Sequence, residues 1–384
     1  MSRKIVYMNN AGQAQLDQSV VAAGIACVQK PAWEMDAEED AKIVRTLFAQ
    51  MIHASPTNIA IMPSTAFAIT LAAHNLKFQL EGQKGRILVL QDQMCSAVYP
   101  WEHLCSRSGG YLELDIVSYP SASTTWTEKV ITHLKNGQDK ILVACLPPLH
   151  WADGALLDLV EISKICRDIG AFLVVDATQA VGVYPCDISL FSPALLACSV
   201  HKWLRGPSGA SLVYIDPKLQ NTWEPLDQHG RSRKVAGMAI WNAAKDGMGP
   251  QGYPQEFVTD ARRFDSGGKP SPFLLPMLRK SMLKVIEVDI EKIQSLLKDR
   301  MMPLLDWADK HELWTPSVHA YHLIGIRVRH LSPEQMILIK NKLEGEHDVH
   351  IAVRCGAFRI SPYLDTTEEN VQKLIEALSA TVLL

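Results

Sequence analysis

Five short, unbroken apolar runs constrain this chain most: residues 86–91, 140–146, 171–175, 195–200 and 211–215, each ending at a polar or turn residue. A strand wet on one face alternates apolar with polar side chains, whereas a continuous Val/Ile/Leu run suits a strand covered on both faces. Helical stretches separate the runs. Residues 64–80 form one, and residues 155–169 form another, with Leu156, Leu159, Val160, Ile162, Ile165 and Ile169 recurring at helical spacing. Strand alternating with helix predicts an α/β fold built on a mostly parallel, doubly wound sheet flanked by helices.

Residues 223–272 break this pattern. They are polar and rich in Gly and Pro, as in Gly247-Met248-Gly249-Pro250-Gln251-Gly252, and are expected to form a long loop of the kind that often carries function. Helical periodicity resumes over residues 275–310, a stretch that Pro303 is expected to kink or divide. A strand (323–329), a helix (333–343), a strand (350–354) and a helix (368–378) follow. The 384 residues therefore divide into an N-terminal segment (1–15), a large domain (16–270) and a smaller C-terminal αβ domain (271–384).

Charge and cysteine usage remove several function classes. With 38 basic against 41 acidic residues, a net charge of -3, and no basic stripe interleaved with aromatics, nucleic acid is not an expected partner. The apolar stretch at residues 20–28 is far short of the roughly 20 residues that cross a bilayer, so a cytosolic protein without a membrane partner is expected. The eight cysteines are scattered, without Cys-x-x-Cys or His/Cys ligand spacing, and read as reduced thiols with no metal to hold.

Chemistry gathers at the ends of two runs. The run 171–175 delivers Asp176 to the carboxyl edge of the sheet, where open α/β folds place ligands. A carboxylate there can keep a pyridinium nitrogen protonated, and Gln179 can donate to a phenolic oxygen on the same ring. Alone, Asp176 would pass for a helix N-cap. The run 195–200 leads into His201-Lys202-Trp203-Leu204-Arg205-Gly206-Pro207-Ser208-Gly209. Lys202 at that point is desolvated, which lowers its pKa and frees the amine for an imine. Ser199 and His201 offer donors suited to a phosphate. A third element, Pro63-Ser64-Thr65-Ala66, opens a helix whose free amides favour an anion.

Trp151-Ala152-Asp153-Gly154, the run Val175-Asp176-Ala177-Thr178-Gln179-Ala180-Val181-Gly182 and the Lys202 segment together resemble the class V aminotransferases, the pyridoxal-phosphate enzymes of fold type I. The resemblance is nearest to the branch with cysteine desulfurases, isopenicillin N epimerase-like proteins and the carbon–sulfur lyases of ergothioneine synthesis. It implies pyridoxal 5'-phosphate as cofactor, with Lys202 as the Schiff-base lysine and Asp176 as the pyridinium partner. Gln179 would then meet the ring oxygen, while Ser64, Thr65, Ala66, Ser199 and His201 meet the phosphate. In Val353-Arg354-Cys355-Gly356-Ala357-Phe358-Arg359, it implies that Arg359, assisted by Arg354, binds the substrate carboxylate. Tyr7-Met8-Asn9-Asn10-Ala11-Gly12 resembles a segment lying across the active site, whose Asn10 and Ala11 amides would meet the same group.

Three departures shape the expected reaction. Tyr99-Pro100-Trp101 matches the family, but no His or Phe stands where a side chain stacks on the ring; Gln93 or Met94 must serve, and Met94 is the choice. Arg262-Arg263-Phe264-Asp265-Ser266-Gly267-Gly268 resembles a segment that reaches the neighbouring subunit's phosphate in a homodimer, with Gly268 in place of Thr. The loop that bears a nucleophilic cysteine in desulfurases has no room between Arg354 and Arg359, which leaves Cys355 structural. The expectation is a homodimeric lyase that breaks a carbon–sulfur bond in a cysteine-derived amino acid. Transamination with a keto-acid acceptor and epimerisation pass through the same carbanion chemistry and stand as alternatives. A non-catalytic protein of this fold is disfavoured by the intact Lys202, Asp176 and Gln179.

Overall fold

The computed structural model describes residues 5–34, 37–121, 123–136, 140–234, 254–267 and 271–382. Its strands are β1 (Val6–Tyr7), β2 (Ile59–Met62), β3 (Gly85–Leu90), β4 (Leu112–Val117), β5 (Ile141–Leu146), β6 (Phe172–Asp176), β7 (Leu195–Ser199), β8 (Ser211–Ile215), β9 (Ile324–Ile326), β10 (Val349–His350), β11 (Ala352–Arg354) and β12 (Ala357–Ile360). Seven of them form the central sheet in the order β2-β8-β7-β6-β5-β3-β4. All neighbours are parallel except β8, which runs antiparallel to both β7 and β2. The expected α/β architecture with a mostly parallel sheet is borne out.

Alternation along the strands shows why the runs are continuously apolar. Ala144, Leu146, Val175 and Leu196 enter one core with Val44, Phe48, Leu278 and Met282. Val143, Cys145, Val174 and Leu195 enter the other with Ile69, Ala72 and Trp101. Each such aliphatic side chain contributes about 1.5–3 kcal/mol on burial. Two sheet strands do not follow the pattern. β2 has only four residues, and β4 is the edge strand, whose Glu113 and Ile116 face water while Leu112 and Val117 are buried; neither presents a long apolar run.

A second, three-stranded antiparallel sheet, β11-β12-β9, packs with the helices Ile290–Lys310, Pro333–His347 and Glu368–Val382 around Leu304, Phe358, Ile360 and Leu374. The stretch expected to yield at Pro303 divides earlier. Asp289 caps the amides of Glu291 and Lys292 and starts a new helix there, while Pro303 lies inside that helix. The preceding helix, Leu274–Ile286, lies beyond residue 270 yet buries Leu274, Leu275, Leu278 and Met282 in the core of the large sheet. The strand expected at 350–354 is split: His350 belongs to β10, which pairs with β1, and Ala352 opens β11, which pairs with β12.

Arg354 and Ala357 face each other across a two-residue turn whose residues, Cys355 (φ 47°) and Gly356 (φ 73°), both take positive φ. Such a turn matches the right-handed twist of the strands it joins. The two units meet at Gly154 (φ 80°), where an added Cβ would stand 1.8 Å from the Leu323 carbonyl oxygen. Gly154→Ala is expected to cost about 3 kcal/mol or more of unfolding free energy, measured by chemical denaturation; a loss below about 1 kcal/mol would mean that β9 yields easily to the methyl group.

Candidate active site

The parallel register of β6 and β7 sets Asp176 opposite Ala197, so the residues following both strands emerge side by side. Met94, Trp151, Asp176, Thr178, Gln179 and Lys202 line one narrow cleft there. Asp176 is buried, and its Oδ1 accepts from the Thr178 amide at 3.1 Å; its Oδ2 takes no donor among the described residues. The chain leaves β7 through a tight turn in which the Gly206 amide returns to the Val200 carbonyl (2.9 Å) and Arg205 takes positive φ. Lys202 sits inside that turn. Burial pushes its amine down to about 8; Asp176 acts against this, and Arg359 reinforces it. Near neutral pH an appreciable share of the amine is therefore unprotonated and nucleophilic. His201, half-buried beside it, is also lowered by burial and by Lys202.

One end of the cleft is a cluster of hydroxyls. Thr65 Oγ1 lies 2.8 Å from Ser199 Oγ and 3.3 Å from both Thr178 Oγ1 and Ser211 Oγ. Thr178 Oγ1 accepts from the Ser199 amide (3.1 Å). The helix Thr65–Gln79 starts at this cluster. Ser64 caps it, accepting from the Phe67 amide (3.1 Å), and among the described residues the Thr65 and Ala66 amides, in the first turn, take no acceptor. Hydroxyls that can turn either way, beside unpaired amides at a helix start, suit an anion. Gly268 lies outside the described residues. The segment leading to it is anchored by Asp265, which takes the Ile61 amide (2.8 Å) and a buried ion pair from Arg45.

Behind Trp151 stands Arg359, fully buried, with no carboxylate in ion-pair range among the described residues. Its Nη1 and Nη2 make long contacts to the Trp151 carbonyl and Asn9 Oδ1, both 3.3 Å, and its Nε has no partner. Burial first, and then Arg354, lower the guanidinium to about 9. A buried cation left this way is costly unless a ligand supplies the counter-charge. Arg354 is exposed at the rim and donates to its neighbour's carbonyl. Asn10 and Ala11 correct an expectation: both amides donate to Ser361, at 3.3 and 3.0 Å, so neither is free for a carboxylate. Asn9 is the residue of that segment that reaches Arg359.

Gln93 is also consumed. Its Oε1 accepts from the Leu90 amide and its Nε2 donates to the Cys145 carbonyl, so its carboxamide is held against the backbone, while Met94 lines the cleft beside it. Thr178 and Trp151 also line the cleft; both lie in the motifs that carry the family resemblance, which gave neither a role. The loop bearing Trp151 is tied to β9 by Asp153, which pairs with Arg327 at 3.0 Å and faces His150 Nδ1 at 3.6 Å. Arg327 also donates to the Cys355 carbonyl.

The family model for aminotransferase class-V matches residues 6–374. The chain belongs to the class-V aminotransferases. An uncharacterized aminotransferase of Bacillus subtilis (strain 168), YcbU, is 23% identical over 90% of this chain and 85% of its own length. A probable cysteine desulfurase of Methanothermobacter thermautotrophicus is also 23% identical, over 87% of this chain and 82% of its own. Among solved structures, the cystine C-S lyase C-DES in complex with cysteine persulfide superposes with a TM-score of 0.83 at 19% identity, covering 99% of this chain and 98% of that one. The likeness extends the fold assignment to the whole chain. Membership makes this protein a pyridoxal-phosphate-dependent enzyme, and the cleft fits that cofactor: Asp176 Oδ2 suits a pyridinium N–H, the Lys202 amine an aldehyde, and the hydroxyl cluster a phosphate.

Arg359→Gln removes the uncompensated charge and keeps much of the volume. It is expected to raise the stability of the substrate-free protein by about 1 kcal/mol and to raise KM for a carboxylate substrate at least about thirtyfold. Denaturation and steady-state kinetics on one preparation measure both; unchanged KM would remove Arg359 from the substrate site.

Proposed function

We propose that this class-V aminotransferase-family protein is a carbon–sulfur lyase acting by β-elimination on a cysteine-derived amino acid. The observation that carries the reading is a cleft lysine kept partly neutral with a buried arginine behind the cleft residue Trp151, close enough to act on that lysine and without a counter-charge among the described residues. Arg359 takes the substrate carboxylate bidentately, with Asn9 and the Trp151 carbonyl setting the plane of its guanidinium. Bound pyridoxal phosphate supplies an electron sink for the negative charge developing at the substrate Cα. Asp176 would hold a proton at the ring nitrogen, Gln179 would meet the ring oxygen, and Thr65, Ser199 and the first amides of the helix Thr65–Gln79 would hold the phosphate. Lys202 Nζ takes the proton from Cα. The Cβ–S bond then breaks, sulfur leaves with the electron pair and gains a proton, and the released enamine hydrolyses to pyruvate and ammonia, so no oxidant is required.

The hairpin favours this reaction over desulfurization through a protein persulfide. Cys355 occupies one of the two residues of a tight turn, its carbonyl is held by Arg327, and burial, with help from Asp92, raises its thiol pKa. A nucleophilic cysteine needs a lowered pKa and freedom to reach the substrate. Candidate cysteine conjugates and sulfoxides, added without a keto acid, are expected to yield pyruvate and ammonia, and Cys355→Ala is expected to retain turnover within about threefold. Conversion of the cofactor to its amine form by the amino acid alone, reversed when a keto acid is added and without release of ammonia, would establish transamination instead.

The reading includes a homodimer. A groove of about 920 Å³ runs between the helices Thr65–Gln79 and Tyr99–Ser106, starting at Ala66 beside the hydroxyl cluster. Phe78, Tyr99 and Tyr111 line it and are each more than half exposed, a concentration of wet aromatic surface that a second copy would cover. Phe78→Asp combined with Tyr99→Asp is expected to convert a dimer to a monomer in light scattering; a monomeric wild-type protein would refute the dimer. No helix of the described residues is long and apolar enough to cross a membrane.

A further inference from the structure

Behind Gln179 lies a chain of hydrogen bonds whose every direction is determined. The Tyr321 amide donates to Gln294 Oε1 (3.2 Å), so Nε2 of Gln294 is the donor end; it serves the Val183 carbonyl (2.7 Å) and His322 Nδ1 (3.0 Å). With Nδ1 accepting, the His322 proton resides on Nε2, which donates to the Gln179 carbonyl at 2.8 Å. His322 is fully buried and burial pushes its pKa down to about 4, so it keeps this neutral tautomer at physiological pH. Its ring meets the indole of Trp203 edge-on, with centroids 4.7 Å apart at 83°.

Trp203 Nε1 donates to Gln179 Oε1 at 2.8 Å. An indole N–H cannot accept, so this contact fixes which end of the carboxamide is oxygen. Gln179 Nε2 spends one proton on the Ala11 carbonyl (3.1 Å). Its second proton has no acceptor among the described residues, although Gln179 lines the cleft with Asp176 and Lys202.

We propose that Trp203 and His322, neither of which lines the cleft, are positioning residues for Gln179: the indole holds its carboxamide with one N–H presented to the cofactor's ring oxygen, and His322 holds its backbone carbonyl and packs against that indole. The proposal rests on the reading that this cleft holds pyridoxal phosphate. Without the indole donor only the bond from Nε2 to the Ala11 carbonyl opposes a half-turn of the carboxamide, which would set its oxygen against the ring oxygen. The cofactor would then be held less tightly and its anionic oxygen would become more basic.

Trp203→Phe deletes the donor while keeping a ring against His322 and Tyr363. In the full-length protein it is expected to weaken pyridoxal-phosphate binding about tenfold, the scale of one hydrogen bond to a charged oxygen. The pH at which the bound cofactor's absorption band titrates is expected to rise by about one unit. In a Gln179→Ala background the same substitution should change neither quantity more than about twofold, because the effect passes through Gln179. Wild-type values in Trp203→Phe, or an undiminished effect in the Gln179→Ala background, would overturn the proposal. A wild-type protein that binds no cofactor, and in which borohydride marks no Lys202 peptide, would instead overturn the functional reading beneath it. If circular dichroism shows Trp203→Phe unfolded, Gln179→Glu, which keeps an acceptor for the indole and deletes the N–H, must give the same rise in titration pH; an unmoved band would refute the proposal.

Discussion

The parallel pairing of β6 with β7 is the interaction from which the site follows. Because Asp176 stands opposite Ala197, the chain leaving one strand presents Thr178 and Gln179 beside the Ser199 and Lys202 presented by the other. Both faces of these strands are sealed by apolar side chains, so polar groups gather only at the carboxyl edge. A one-residue slip would send Asp176 to a different depth and turn each strand's side chains to the opposite face. The same sealing desolvates Lys202, and the fold thereby generates the reactivity of its own lysine.

Electrostatically the cleft is lopsided. Arg359, Arg354 and Lys202 all press on one another, with Asp176 the nearby carboxylate acting against them at Lys202. Such a surplus of positive charge suits a ligand set comprising a phosphate and an α-carboxylate. It also makes the site a place where stability has been given up for function, as buried charges without protein partners require. The Asp153–Arg327 pair, which does have a partner, is where the two units are tied beside that cleft.

Much of this was legible in the sequence, for physical reasons that differ by element. β5, β6, β7 and β8 were visible because burial on two faces writes an unbroken apolar run. β2 is too short to write one, and β4 at the edge alternates instead. The division near Asp289 was misplaced at Pro303 because a proline is a conspicuous local signal, whereas the cap that starts the new helix is a single aspartate. Lys202 and Asp176 share one cleft and Ser199 and Thr65 one hydroxyl cluster, since each lies within a few residues of a strand end or a helix start. Ser361 was missed as the partner of Asn10 and Ala11, and Trp203 and His322 as supports of Gln179, because those contacts join segments far apart in the chain.

The pairing of β1 with β10 has a consequence for how the enzyme is assembled. Ala11, whose carbonyl steadies Gln179, is itself held by Ser361, 350 residues further along the chain. During synthesis the segment bearing Ala11 must wait, unpaired, until the last strands have emerged, whereas the central sheet can close as soon as β8 is made. Contacts of such separation are late and slow to form. The order of assembly thus leaves Gln179 placed by its own strand end first and joined to a fixed Ala11 only once the C-terminal strands are in place.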